Sequence, residues 1–525
     1  MLGRAVRRFA KDERGNALLL FGLALVPLIG SAGGAVDYAE ALRRRTELQI
    51  ALDGATMAVA RQAPMAATET QTAIHNATAE RLTASGIKPE EWRIVTAADV
   101  NGRVSATAEL KVQTRFLGLM GIPEMTMSTS TEVARHKKLE VALVLDTTGS
   151  MATNNRIGAL RDAARTLIDS LYAAPNAKDM VKTALVPFVT TVNIKVPGVF
   201  DWAWIDTGAK AKYHGINFNL TNGQRTSHIK LFNDLFNRTD GSGWKGCVEA
   251  RAEPYDVEDT PPDPSVPDTL FVPWFWPDEP DSGIAYVAGT AYNNNYMPDD
   301  YTVPQGTDPK TTAPDRQRNT TKYRNKRSYA TIDQTPSDTS GPNKSCPEPL
   351  TPLTNDADLM RTRIAAMRPW NNSGTNIAQG MVWGWSVLSP EIPFTEGVPY
   401  DDPTTQKAMI VLTDGENEVY GGWSNHNRSD YSSYNYLGVN RLGTTDKTQG
   451  VAKVNEKVAA LCAKIKAKNI RVYTITFELN SATGQALFRD CATKPELYYN
   501  SPSTGELKNI FQLIANDLGR LRFSR

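Results

Sequence analysis

The chain has almost no excess of charge. Its 58 Lys and Arg stand against 57 Asp and Glu, a formal net charge of +1. That balance removes any global electrostatic case for nucleic acid or for a strongly charged partner. Two short motifs are also absent. Without a Gly-x-x-x-x-Gly-Lys-Ser/Thr loop there is no phosphate cradle of the NTPase kind. Without a Gly-x-Ser-x-Gly elbow there is no nucleophile turn of the α/β-hydrolase kind. Histidine is scarce: His75, His136, His214, His228 and His426 fall into no metal-ligand spacing, and each reads as a surface residue. Enzymatic turnover is not expected. Cysteine is scarcer still, with Cys247, Cys346, Cys462 and Cys491. These would be free thiols in the cytosol and disulfide candidates outside it.

What is present begins with a basic cluster, Arg4, Arg7, Arg8, Lys11 and Arg14, followed by Ala17–Val36, ALLLFGLALVPLIGSAGGAV, which carries no charge. About 20 apolar residues make one bilayer-spanning helix. Basic residues ahead of the span place the N-terminus in the cytoplasm and everything past Asp37 outside. A cleavable signal peptide competes with this reading, because GSAGGA offers small residues at a plausible cleavage site. A buried core helix is disfavoured by the basic cluster. The retained inner-membrane anchor is preferred, since an amphipathic helix follows without a break. With the bulk exported, the cysteines become bridges. Of the three pairings that four cysteines allow, the local ones, Cys247–Cys346 and Cys462–Cys491, are expected. Cys247 and Cys346 share one irregular region. Cys462 lies on the helix face of Val458 and Ile465, and Cys491 closes the short helix after the next strand.

At 525 residues the chain calls for two or three domains. Leu48, Leu52, Ala55 and Val59 fall on one face of a helix from Asp37 to about Arg61, and a second helix covers about Thr68 to Ser85. Alternating segments follow, the mark of half-buried antiparallel strands. From Leu139 strands apolar on both faces alternate with helices, which predicts a doubly wound parallel sheet. The pattern collapses between about Pro197 and residue 350, in a region rich in Pro, Asn, Asp, Trp and Tyr. A structureless loop of that length is improbable, so the region reads as an inserted subdomain stapled by Cys247 and Cys346. Its first part, Glu253 to Asp308, is acidic with no Lys or Arg, and its last, Lys310 to Arg327, is basic. Solvated loops that pair with each other explain this better than an ion site. The expected organisation is therefore a basic segment over 1–16, the anchor over 17–36, a helix-plus-strand module over 37–135, an α/β domain over 139–197 and 352–525, and the insert over 198–351.

The stretch LEVALVLDTTGSM, Leu139–Met151, sends a buried strand straight into Asp146, Thr147, Thr148, Gly149 and Ser150. A polar turn before a helix would suffice for this pentapeptide alone. Asp414 ends another strand in MIVLTDGEN, and Thr375 lies in SGTNI, a loop that opens a helix. In a doubly wound sheet these loops can meet at the carboxyl ends of the strands. Two carboxylates with the hydroxyls of Thr148, Ser150 and Thr375 are hard oxygen ligands, suited to Mg²⁺, Mn²⁺ or Ca²⁺ and poor for zinc. In Asp-x-Thr-Gly-Ser a tight loop turns the hydroxyls two and four residues beyond the aspartate toward one point, and Gly149 relieves the crowding.

These residues resemble the von Willebrand factor A domain with its metal-ion-dependent adhesion site. Asp146, Thr148 and Ser150 match the first motif, with threonine where serine is usual; Thr375 matches the isolated threonine and Asp414 the second aspartate. The segment RGNALLLFGLALVPLIGSAGGAVDYAEALRRRTELQIALDGATMAVA, Arg14–Ala60, is similar to the anchor of TadG-like proteins of the tight-adherence (Flp) pilus system. Pseudopilins of that system are processed after a glycine with glutamate five residues later; here Leu20 stands at that offset from Gly15, which favours a retained anchor. The resemblance implies a membrane-anchored adhesion or pilus-assembly component with a small pilin-like α+β module. It also implies that a bound divalent cation takes an acidic side chain of a protein partner, such as a pilus or envelope component. A purely structural pilus part with a non-functional metal site, or a metal-dependent enzyme, are the alternatives.

Overall fold

The charge-free run and the amphipathic segment after it form one helix, α1 (Arg14–Ala60), with Pro27 inside it. The computed structural model describes residues 14–62, 65–100, 102–134, 137–280, 292–297, 313–324, 337–422 and 424–521. The basic cluster from Arg4 to Lys11, His136, and stretches of the acidic and basic parts of the insert lie outside the described residues.

The first compact unit runs to Lys137. The later half of α1 turns Ala41, Leu48, Leu52, Ala55 and Val59 into its core, the spacing of one helical face. Helix α2 (Ala67–Ala84) adds Ile74 and Leu82. Strands β1 (Trp92–Val100), β2 (Arg103–Gln113) and β3 (Glu124–Ala134) form an antiparallel meander. In β2 the buried residues Val104, Ala106, Ala108, Leu110 and Val112 alternate with more exposed ones, so this strand is apolar on one face only.

The second unit, Lys138–Arg522, is built on six strands: β4 (Lys138–Asp146), β5 (Val181–Phe188), β6 (Thr351–Thr354), β7 (Thr405–Thr413), β8 (Arg471–Phe477) and β9 (Tyr498–Ser501). Their order is β9-β8-β7-β4-β5-β6, parallel except for edge strand β6, which runs against β5. The chain starts in the middle, winds out one way, and returns to wind out the other. The direction reverses between β4 and β7, the crevice where open α/β sheets take ligands.

Helices α3 (Arg156–Leu171), α4 (Ala357–Ala366), α5 (Ile377–Leu388), α6 (Lys447–Ala467), α7 (Ala482–Cys491) and α8 (Thr504–Leu521) cover the sheet. Val141, Leu143 and Leu145 of β4 face α3, α4 and α8; Ala142 and Val144 face α5, α6 and α7. That two-sided burial is why β4 is a continuous apolar run. Every residue of α5 is buried. Gly380 and Gly384 let it approach: a Cβ on Gly380 would come within 2.7 Å of the Phe188 ring, and one on Gly384 would overlap Val144.

Regular structure in the insert is sparse among the described residues, with a helix at His228–Phe236 and a two-residue ribbon pairing Val192–Asn193 with Cys247–Val248. Its order comes from aromatic packing. Trp204, Phe218, Phe232, Trp244, Phe271 and Phe275 share one core with α5. The acidic and basic parts meet where Lys322 Nζ pairs with Asp278 Oδ2 at 2.9 Å. The irregular stretch between β7 and α6, which the sequence reading passed over, supplies Tyr431 and Tyr436 to a cluster with Trp274, Trp276, Cys247 and Cys346. Disulfides join Cys247 to Cys346 and Cys462 to Cys491, with Cα atoms 5.6 and 5.1 Å apart.

The histidines need correction. His75 is exposed, but His214 and His228 are wholly buried. His214 Nδ1 lies 2.8 Å from Asp206 Oδ2, and its Nε2 accepts the His228 backbone N–H at 2.8 Å. Burial holds His228 well below the usual imidazole range, so it is a neutral core residue. His426 is half-buried, 2.8 Å from the Tyr292 hydroxyl. Asp206 lies 8 residues from His214 and Tyr292 lies 134 from His426, so no single spacing along the chain reveals these partners.

Candidate metal centre

Strand β4 delivers Asp146, fully buried, to the carboxyl edge of the sheet. Its Oδ1 accepts the Thr148 N–H at 2.8 Å and the Thr148 hydroxyl at 2.6 Å. That is an Asx turn, which reverses the chain right after the strand. The Thr148 and Ser150 hydroxyls are 3.1 Å apart, and Ser150 Oγ donates to Asp414 Oδ1 at 2.6 Å. Thus Asp146, Thr148, Ser150 and Asp414, from two strand ends, form one hydrogen-bonded chain. Gly149 has a specific neighbour: a Cβ there would lie 3.0 Å from both the Cα and the Oδ1 of Asn371.

Asn371 belongs to the loop that carries Thr375. The Trp370 N–H donates to the Thr147 carbonyl at 2.8 Å, which seats this loop on the turn after β4. Thr375 and Glu418 exchange backbone hydrogen bonds of 3.2 and 2.9 Å, which ties the same loop to the turn after β7. Thr375 is therefore buried between the two turns. Among the described residues, the hydrogen bonds that link the other four do not include its hydroxyl.

Three neighbours complete the centre and were not singled out from the sequence. Thr413 Oγ1 donates to Asp146 Oδ2 at 2.6 Å. Arg156, at the start of α3, pairs through Nη1 with Asp414 Oδ2 and through Nε with Glu478 Oε2, both at 2.8 Å. Glu478 follows β8 in the left-handed region, at φ 51°. Thr413 stands next to Asp414, and Glu478 is an acid at a third strand end; asking which strands of the sheet end in oxygen ligands would have found both. Arg156 carries no such signal.

Burial, and then the charge of Asp414, push the Asp146 carboxyl up to about 7. Burial also raises Asp414, against its hydrogen bonds to Ser150 and Arg156. Asp414 and Glu478 share the single guanidinium of Arg156, while among the described residues Asp146 is held by hydroxyl and amide donors alone, so the site is short of positive charge. Hydroxyl and carboxylate oxygens in a charge-short, buried edge are a donor set that fits a hard divalent cation. The set is carboxylate-poor: among the described residues no group of three or more His, Cys, Asp or Glu could hold a metal.

A family model described as putative Flp pilus-assembly TadE/G-like matches residues 15–62, in α1 and just beyond. This is the family whose likeness the N-terminal sequence carries. No curated protein matches the chain. Among solved structures, the pilus adhesin SpaC from Lactobacillus rhamnosus GG is similar at 13% identity and a TM-score of 0.33, over 82% of this chain and 35% of that one. This chain thus spans about a third of that adhesin's length. The vWF domain of the type V pili tip protein Mfa5 from Porphyromonas gingivalis is similar at 9% identity and a TM-score of 0.34, over 75% of this chain and 98% of that one. Proximal thread matrix protein 1 from the mussel byssus, with a zinc occupied MIDAS motif, is similar at 9% identity and a TM-score of 0.28, over 72% and 46%. The fold itself is read from the strand order above rather than from these distant likenesses.

Proposed function

We propose that this chain is a membrane-anchored component of a bacterial Flp pilus system that binds a partner protein through a divalent cation held at the sheet edge. Asp146, Ser150 and Thr375 would hold Mg²⁺, or Mn²⁺ or Ca²⁺ in its place, with Thr148 and Asp414 close by. The ion would keep a coordination position open for a carboxylate of the partner. α1 would cross the inner membrane with its N-terminus in the cytoplasm and the bulk outside. One helix among the described residues, which begins in this anchor, is long and apolar enough to cross a membrane. The reading involves binding without turnover.

The observation that carries the proposal is the chain of Asp146, Thr148, Ser150 and Asp414 at the switch point of the sheet, short of positive charge. Titration of the full chain in detergent with Mg²⁺, followed by calorimetry, tests it. Asp146→Asn and Asp414→Asn should each abolish binding while circular dichroism stays unchanged. Undiminished binding in both variants would sink the site. Arg156 favours a second reading, since its guanidinium already neutralises Asp414. On that reading the edge is a structural ion pair, the protein is a structural pilus part, and wild type binds no divalent cation.

A further inference from the structure

The connection from β2 to β3 ends in an uncharged run, Phe116–Pro123, FLGLMGIP. Leu119 is 86% exposed, and Phe116, Met120 and Ile122 are exposed beside it. Scattered apolar side chains on a surface are ordinary, but four on one turn form a patch that marks a contact. Six backbone N–H groups of this turn are paired internally. The N–H groups of Arg115, Phe116 and Leu117 donate to the Asp37 carboxylate at 3.0, 2.8 and 2.8 Å. Those of Met120 and Ile122 donate to the Leu117 carbonyl, each at 3.0 Å, and that of Gly121 to Gly118 at 3.2 Å. Water would satisfy these groups at no cost; hydrocarbon would not, and there internal pairing is obligatory.

The turn also has a fixed depth along α1. It sits against Gly30, Gly33 and Gly34: a Cβ on Gly30 would lie 2.6 Å from Met120 Sδ, one on Gly34 3.1 Å from Leu117 Cδ2, and one on Gly33 would overlap the Phe116 ring. These glycines occupy the last two turns of the charge-free span. At 1.5 Å per residue, Gly30 lies about 9 Å and Gly33 about 4.5 Å inside its end at Val36. Asp37 and the exposed Arg115 stand at the mouth, where a long basic side chain reaches headgroups while its stem stays apolar. Leu28 and Ile29 of α1, 63% and 54% exposed, continue the apolar surface.

We propose that the turn 116–122 is a second membrane contact, entering the outer leaflet beside α1 so that lipid covers Phe116, Leu119, Met120 and Ile122. The inference rests on Ala17–Val36 spanning the bilayer. Its consequence is positional: a single helix leaves the module it carries free to tilt, and a wedge at the helix end fixes its attitude to the membrane.

The test uses the full chain in vesicles of phosphatidylethanolamine and phosphatidylglycerol. All four native cysteines are in disulfides, so one introduced thiol can carry an environment-sensitive fluorophore. Three variants are compared: Leu119→Cys in the turn, Leu25→Cys in the helix, and Ser85→Cys on the exposed end of α2. The expected result is blue-shifted emission, quenched by doxyl-labelled lipid and not by iodide, at positions 119 and 25, with the reverse at 85. Lipid quenching at 25 with iodide quenching at 119 overturns the inference and leaves the anchor standing. A probe at 119 that neither quencher reaches also overturns it, and assigns the patch to a second copy or a protein partner. Iodide quenching at 25 overturns the anchor and the inference together.

Discussion

Arg156→Gln separates a metal site from a structural ion pair. In the free protein, Arg156 Nη1 holds Asp414 Oδ2 at 2.8 Å, with the aspartate side chain 0% exposed and the arginine 16%. A hydrogen bond to a charged group is worth about 1.5–3 kcal/mol net, and part of that interaction must be given up when a cation draws on the same carboxylate. The glutamine variant removes this competition and the guanidinium's repulsion of the ion. Mg²⁺ affinity should rise by about 1–3 kcal/mol, roughly 5- to 150-fold. The cost falls on the metal-free fold. Breaking a buried pair leaves an uncompensated charge, about 3–5 kcal/mol, and here Glu478 loses the same partner. So the variant should melt below wild type in chelator, and Mg²⁺ at 100 times its Kd should restore about 2.7 kcal/mol. Calorimetry and thermal melts on the full chain, with and without Mg²⁺, read both effects. Affinity that is unchanged or weaker in a folded variant would refute the reasoning, because the arginine would then be holding Asp414 in place for the ion.

The bridge Cys462–Cys491 closes 29 residues, so replacing both by serine should lower stability by about 3–4 kcal/mol on the chain-entropy account; a loss below about 1 kcal/mol in denaturant melts would refute that account. Gly384→Ala forces a methyl into Val144, and the overpacking of about 1–3 kcal/mol should outweigh about 1 kcal/mol of helix propensity. Gly519→Ala, in α8 with nothing within 4 Å, should instead stabilise by up to about 1 kcal/mol, and equal signs in the two melts would be wrong. Burial, and then the Asp430 charge, push Glu279 up to about 7 from an ordinary 4.5. Its folded form holds a proton that the unfolded chain gives up, so stability falls as pH rises from about 4.5 to 7, by up to about 3 kcal/mol. Glu279→Gln should flatten that slope in melts between pH 5 and 8; an unchanged slope would assign the pH dependence elsewhere.

What the sequence makes legible follows from how local each signal is. The strand into Asp146 is apolar on both faces because helices cover both, and that doubles as evidence for a parallel sheet. Asp146, Thr148 and Ser150 sit within five residues, so one turn brings them together whatever the rest of the chain does. Asp414 is legible for the same reason as Asp146: both are acids where a buried strand stops. The insert offers no such handle, because its core joins residues such as Trp274 and Tyr431 across intervening elements, and no period along the chain encodes that pairing. Arg156 is the instructive case. It opens a helix ten positions after Asp146, where a basic residue is unremarkable, and its partners Asp414 and Glu478 lie 258 and 322 residues away. The motif therefore names the oxygens that could hold an ion, but the charge the ion must supply is set by residues outside it. Asp414 and Glu478 share one guanidinium, and a further basic residue at the edge would remove the charge deficit on which the proposed ion depends. Binding strength in chains that share this pentapeptide should accordingly track the residues at the positions of Arg156 and Glu478 more closely than a threonine-for-serine exchange at Thr148, which keeps the hydroxyl.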